Sequence, residues 1–142
     1  MKSIDETRFF LEEVESIDSI IANKLVEMQQ WYDLATSITA SMDGERVMSS
    51  GTKQKMADAV SKCLDAADEI PAQIDNLKAK KKMVTQTIEQ LYSPTEYKVL
   101  HMRYIQYKTL QEIADYYGKT YEWAKDTSKR AVYHVQAILN KK

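Results

Sequence analysis

Three observations on this 142-residue chain predict an all-α fold. Three glycines and two prolines are too few for the many tight turns of a β protein. Apolar residues recur at spacings of three and four along two long stretches. Three helix-start signals and a glycine then punctuate residues 93–142. Together they predict a long, coiled-coil-like antiparallel helical hairpin over residues 1–92. A helix-turn-helix domain over 93–142 follows it, folding as a unit of its own.

Ser3-Ile4-Asp5-Glu6 is a capping-box candidate that opens the first helix. Phe10, Val14, Ile17, Ile21, Leu25, Met28, Trp31, Ala35 and Ile38 then repeat at helical spacing, carrying that helix to about Ser41. Residues 43–53 hold two of the three glycines and read as a loop. The second helix has a stricter pattern: Met56, Val60, Cys63, Ala67, Ile70, Ile74, Leu77, Lys81, Val84, Ile88 and Leu91 alternate by four and three. That is the heptad seam of a left-handed coiled coil. Pro71 lacks an N–H, so a kink or a fresh start is expected there. Lys81 occupies a seam position. Either it restricts register and oligomer number, or the helix frays or faces solvent at that point. One hairpin should leave apolar surface over, which predicts self-association, most simply a two-fold dimer. The alternative is a monomer whose hairpin packs on the C-terminal elements.

In the last third, Ser93-Pro94-Thr95-Glu96 combines a cap, a first-turn proline and a capping-box glutamate. Thr109-Leu110-Gln111-Glu112 repeats the device, and Leu110, Ile113, Ala114 and Tyr117 fall on one face. Gly118 stands where the chain must turn. Thr120 then caps a helix running to about Leu139. A short helix, a tight turn and a basic helix form the unit that inserts into the DNA major groove.

Charge distribution agrees with that assignment. The chain carries a net charge of −1, but residues 1–94 hold 11 Lys/Arg against 16 Asp/Glu, and residues 95–142 hold 9 against 5. The C-terminal end is therefore the one suited to an anionic partner. Eight of nine tyrosines lie from Tyr92 onward, either filling a small core or presenting hydroxyls to phosphates and bases.

If the last helix starts at Thr120, its buried side should carry Ala124, Ala131, Val135 and Ile138, with Thr127 or Ser128 between. Tyr121, Glu122, Lys125 and Asp126 then become candidates for base edges, because the N-terminal turns of a recognition helix enter the groove. Lys129 and Arg130 lie further along and suit phosphates, as do Lys108 and the amides from Thr109. Trp123 sits at the edge of the two faces, as a core anchor or a DNA contact.

Chemistry of other kinds finds little footing. Cys63 lies on the heptad seam and reads as a small buried apolar group. His101 and His134 lack companions at metal spacing. Asp65, Asp68, Glu69 and Asp75 spread around a helix as a solvated face. No phosphate-cradling glycine loop is present. A non-enzyme with no cofactor and no metal is expected. No apolar run approaches the roughly 20 residues of a membrane span. Asp5, Glu6, Glu12 and Glu13 argue against a secretory or transit peptide, and the single cysteine fits a reducing cytoplasm.

The run Ser93-Pro94-Thr95-Glu96-Tyr97-Lys98-Val99-Leu100-His101-Met102-Arg103-Tyr104 resembles the opening of region 4 of bacterial sigma factors. Thr109-Leu110-Gln111-Glu112-Ile113-Ala114 and Lys129-Arg130-Ala131 sit where that family has its T-x-x-E-I-A and x-R-A elements. Lys119 and Ser128 depart from it, standing where the family usually has an apolar residue and a leucine. Upstream, Leu34-Ala35-Thr36-Ser37-Ile38-Thr39-Ala40, Ser49-Ser50-Gly51 and Ala57-Asp58-Ala59-Val60 resemble small prophage regulators of Gram-positive bacteria, similar to the ArpU/RinA-type late-gene activators. The resemblance implies a transcription regulator, an activator of phage late or packaging genes, that binds double-stranded DNA in the host cytoplasm, at the nucleoid. It also implies RNA polymerase as a partner. Two alternatives stay open at this point: the DNA-recognition small subunit of a phage terminase, and an RNA-polymerase-binding adaptor with little DNA readout.

Overall fold

The computed structural model of the protein describes residues 1–44 and 50–141. Its described elements are all helical: α1 (Ile4–Gly44), α2 (Ser50–Glu89), α3 (Pro94–Leu100), a π-helical turn (His101–Ile105), α4 (Leu110–Tyr117) and α5 (Tyr121–Asn140). Helices α1 and α2 form the long hairpin, and the C-terminal helices follow it.

Helix α1 starts with the expected capping box: the Glu6 amide donates to Ser3 Oγ at 3.2 Å, and the Ser3 amide to Glu6 Oε2 at 3.3 Å. Both hairpin helices outrun their expected ends. Asp43 and Gly44 are helical, and so are Ser50–Lys53, where a loop was expected. Residues 45–49 of that expected loop lie outside the described residues. Adding a residue to an existing helix gains a hydrogen bond without a new nucleation cost, which offsets weak formers such as Gly51.

Pro71 produces no break either, since α2 runs through it without interruption. Its ring lies on the exposed face of the helix, away from the seam. The seam residues Ala67, Ile70 and Ile74 are buried on both sides of it.

The chain divides into two compact units. One comprises Ser19–Leu77, the greater part of the hairpin. Within it Ala35, Cys63, Ala67, Ile70 and Ile74 are buried, so the middle of the heptad seam is covered inside a single chain, while Met56, Val60 and Leu77 are half-buried. Leu25, Val26, Leu34 and Leu64 remain exposed on the outside.

The other unit comprises Met1–Asp18 and Lys78–Lys142. Its larger core cluster joins Leu11 and Val14 of α1 and Val84, Ile88 and Leu91 at the end of α2 to Leu100, Tyr104, Ala131, Val132 and Val135. The C-terminal helices therefore share their core with the first and last turns of the hairpin. A smaller cluster, Val99, Met102, Ile113, Ala114 and Ala124, packs with Leu110, Tyr117 and Trp123. Each large side chain so buried contributes roughly 1.5–3 kcal/mol of hydrophobic stabilisation.

Lys81 neither frays nor faces open solvent. It is half-buried, and its Nζ lies 2.9 and 3.2 Å from the two carboxylate oxygens of Asp18 in α1.

Candidate nucleic-acid interface

The site is set by how α4 and α5 begin and end. Thr109 Oγ1 accepts from the Glu112 amide, while the Thr109 amide donates to Glu112 Oε1, each at 3.1 Å. These bonds hold the Glu112 carboxyl below the ordinary carboxylate range, with the bond from the Thr109 backbone the largest cause. Gly118 ends α4 in the left-handed conformation, φ 63° and ψ 34°. Its amide bonds back to Asp115 and that of Lys119 to Ala114. Thr120 Oγ1 then accepts from the Trp123 amide at 3.1 Å and opens α5. Every device here was expected from sequence. The one correction concerns α3. Ser93 Oγ caps the Glu96 amide, but the Glu96 side chain does not reach back to close a box.

Glu96 is engaged elsewhere. Its carboxylate is buried and accepts from His134 Nδ1 at 2.5 Å, with Arg130 Nε at 3.7 Å from its other oxygen. A carboxylate offers only acceptors, so Nδ1 carries the proton. The pairing fastens α5 to α3.

A second fastening comes from Arg103, which donates to Ser128 Oγ at 2.6 Å. Ser128 is fully buried, and its hydroxyl is satisfied by this hydrogen bond. The other departure, Lys119, is exposed, and a polar side chain is at ease there.

With these anchors, α5 buries Ala124, Thr127, Ser128, Ala131, Val132 and Val135. Val132 was not foreseen on that side, and Ile138 is only half-buried. Tyr121, Glu122, Lys125, Asp126 and Lys129 are all exposed and fall on one face at spacings of four. Thr120 is exposed, its hydroxyl engaged as the cap. Arg130 is exposed along most of its length but turns toward Glu96. Lys108 and Thr109 stand at the start of α4, with Lys108 Nζ 3.9 Å from Glu112 in a solvated pair worth little. Trp123 belongs to the smaller core cluster, its ring centroid 5.1 Å from that of Tyr117. Sequence reading missed Tyr133, which is exposed one turn beyond Lys129 on the same face. Its spacing of four from Lys129 was the available signal.

Tyr107, just before Lys108, has φ 59°, the one non-glycine residue with positive φ among those described. A left-handed tyrosine costs roughly 1–2 kcal/mol. Its hydroxyl donates to Asp18 Oδ2. Burial alone would raise the Asp18 carboxyl, yet the hydrogen bonds from Tyr107 and Lys81 bring it below its usual value. The Tyr107 hydroxyl is pushed up, first by burial and then by this bond.

A short first helix packed by one face, a left-handed turn and a second helix with one face exposed define a helix-turn-helix unit. Residues 92–137 match the family model of sigma-70, region 4. That segment is similar to sigma-70 region 4, which suggests DNA binding or a transcription-related function. No curated protein and no solved structure matches the chain. Among the described residues no helix is long and apolar enough to cross a membrane, and no group of side chains is arranged to hold a metal ion.

Proposed function

We propose that the chain is a sequence-specific, DNA-binding transcription regulator that reads the major groove with α5. Tyr121, Glu122, Lys125 and Asp126 face base edges in this reading. Lys129, Arg130, Lys108 and the helix starts at Thr109 and Thr120 serve the phosphates, and Tyr133 extends the same face. The observation that carries it is the single exposed α5 face, within a region-4 segment, whose first turns bear lysines and carboxylates together. Lysine donates to guanine and a carboxylate accepts from cytosine, so a mixed face suits base discrimination better than general phosphate binding.

The finer reading, an activator of late or packaging genes in a Gram-positive prophage, rests on the N-terminal resemblance. So does its setting in a bacterial cytoplasm. A two-fold dimer through the hairpin belongs to the same proposal, supported by the exposed Leu25, Val26, Leu34 and Leu64. The carboxylates Glu122 and Asp126 also favour a second reading, an adaptor that docks on RNA polymerase with little DNA readout.

Selection of duplexes from a random pool with the full chain decides between them. The regulator should enrich one sequence and bind it with a salt-dependent affinity. Failure to enrich any sequence, with unselective salt-dependent retention or none, would reject DNA reading. Sedimentation over a concentration series tests the dimer; a monomer at every concentration would refute it.

A further inference from the structure

We propose that Tyr107, Asp18 and Lys81 are positioning residues that fix the start of α4 for DNA reading, so that the seam lysine serves recognition. This rests on the DNA-binding reading given above. Four observations converge on the segment between the π-helical turn and α4. The backbone of Tyr107 is left-handed, where glycine would be unstrained. The chain keeps a tyrosine there, and its hydroxyl is bound 89 residues away in sequence, to Asp18. Asp18 is held in turn by Lys81, the one charged residue of the α2 seam. A π-helical turn, a form concentrated at functional sites, immediately precedes the segment.

The segment also leads directly into the DNA-facing start of α4. The Lys108 amide donates to the Met102 carbonyl at 2.8 Å, and Thr109 caps the next helix. Lys108 and the first amides of α4 are phosphate candidates, and a helix that meets the backbone must be set in angle and register to let its neighbour enter the groove. The capping box fixes α4 internally but does not tie it to α1 or α2. Tyr107 supplies that tie, with Asp18 as acceptor and Lys81 as the cation that keeps Asp18 charged and directed. A strained residue persists where its surroundings over-determine it. Here the hydroxyl bond gives the strained tyrosine something that glycine cannot.

The test uses full-length Tyr107→Phe, Asp18→Asn, Lys81→Met and the Asp18→Asn/Tyr107→Phe double variant. Each is measured on the selected duplex, on a scrambled duplex and by thermal unfolding. Tyr107→Phe should weaken the selected duplex about fivefold or more, and Lys81→Met should do likewise. The scrambled duplex should change far less, because phosphate attraction tolerates misalignment. The double variant should be no weaker than the worse single one, since both remove one tie. A merely structural role would lower the melting temperature while leaving the ratio of selected to scrambled affinity intact; that result overturns the proposal. So does an additive double variant. Tyr107→Gly guards against misfolding, because it removes the hydroxyl while relieving the backbone: it should fold and still lose the ratio. If wild type enriches no duplex, the DNA reading fails and this inference with it. If wild type binds and the variants keep their ratio, the inference alone fails.

Discussion

Glu96 shows how asymmetric one buried charge is. Its carboxylate is 9% exposed, whereas the side chains of its partners Arg130 and His134 are 59% and 56% exposed. Removing the acid leaves two cations or donors that water can solvate. Removing both partners leaves a buried carboxylate with nothing to replace them. Glu96→Gln should therefore cost about 1 kcal/mol or less in urea unfolding, and Arg130→Leu/His134→Leu about 1–3 kcal/mol. Equal losses would mean that the pair, not the burial, sets the energy. At the exposed face, Lys125 and Lys129 should separate by role. Lys129→Ala should weaken selected and scrambled duplexes alike and lower the salt slope by about one unit. Lys125→Ala should cost about 1–3 kcal/mol on the selected duplex only. Both residues are exposed, so circular dichroism should not change. Wild-type titrations for both variants would remove α5 from the interface. The exposed residues of α5 were legible because helical periodicity sorts a long amphipathic helix into two faces. The Glu96, Arg103 and Tyr107 contacts were not, because they join residues 25 to 89 positions apart and no local pattern encodes them.

Helix starts and stops were the most legible elements, since a cap is a local hydrogen bond whose chemistry is written in four residues. Gly118 is the clearest case. Its φ of 63° lies where side chains other than glycine are strained, but a Cβ built there meets nothing within 4 Å. Gly118→Ala should thus cost only the backbone conformation, roughly 1–2 kcal/mol. Thermal unfolding measures it, and a much larger loss would mean that the turn has shifted. The hairpin was legible in kind but not at its ends. Its seam residues Cys63, Ala67, Ile70, Ile74, Val84, Ile88 and Leu91 are buried while Met56, Val60 and Leu77 are only partly covered, propagation carried both helices into the expected loop, and the Pro71 ring lies on the exposed face. Lys81 illustrates what a seam pattern cannot say. Periodicity marks a lysine on the apolar stripe as an interruption, and Lys81→Leu as stabilising. The Asp18 partner reverses the second inference. Leucine would add apolar burial but leave the half-buried Asp18 carboxylate without its cation and with the Tyr107 hydroxyl as its remaining side-chain donor among the described residues, so no rise in melting temperature is expected.

At the scale of the molecule, the question is what residues 93–142 need in order to fold. The sequence presents them as self-contained, with their own starts, turn and apolar faces. The smaller cluster, built from Val99, Met102, Ile113, Ala114 and Ala124, is indeed internal to them. The larger one is not. Leu100, Tyr104, Ala131, Val132 and Val135 pack with Leu11, Val14, Val84, Ile88 and Leu91, and cutting at residue 93 removes five of those ten buried side chains. At roughly 1.5–3 kcal/mol of burial for each large aliphatic group, the loss is comparable with the whole stability of a small domain. The exposed inner face of α5 would have no cover, and Arg103 and Ser128 would hold a helix that lacks a floor. We expect a 93–142 fragment to melt without a cooperative transition and to bind the selected duplex far more weakly than the full chain. A shortened chain that joins 1–18 to 78–142 through a short flexible linker keeps all ten side chains, and should recover both the transition and the affinity. Calorimetry on the two shortened proteins decides the matter. A sharp transition for 93–142 alone would show that the smaller cluster suffices and that the hairpin base is an accessory to the helix-turn-helix core.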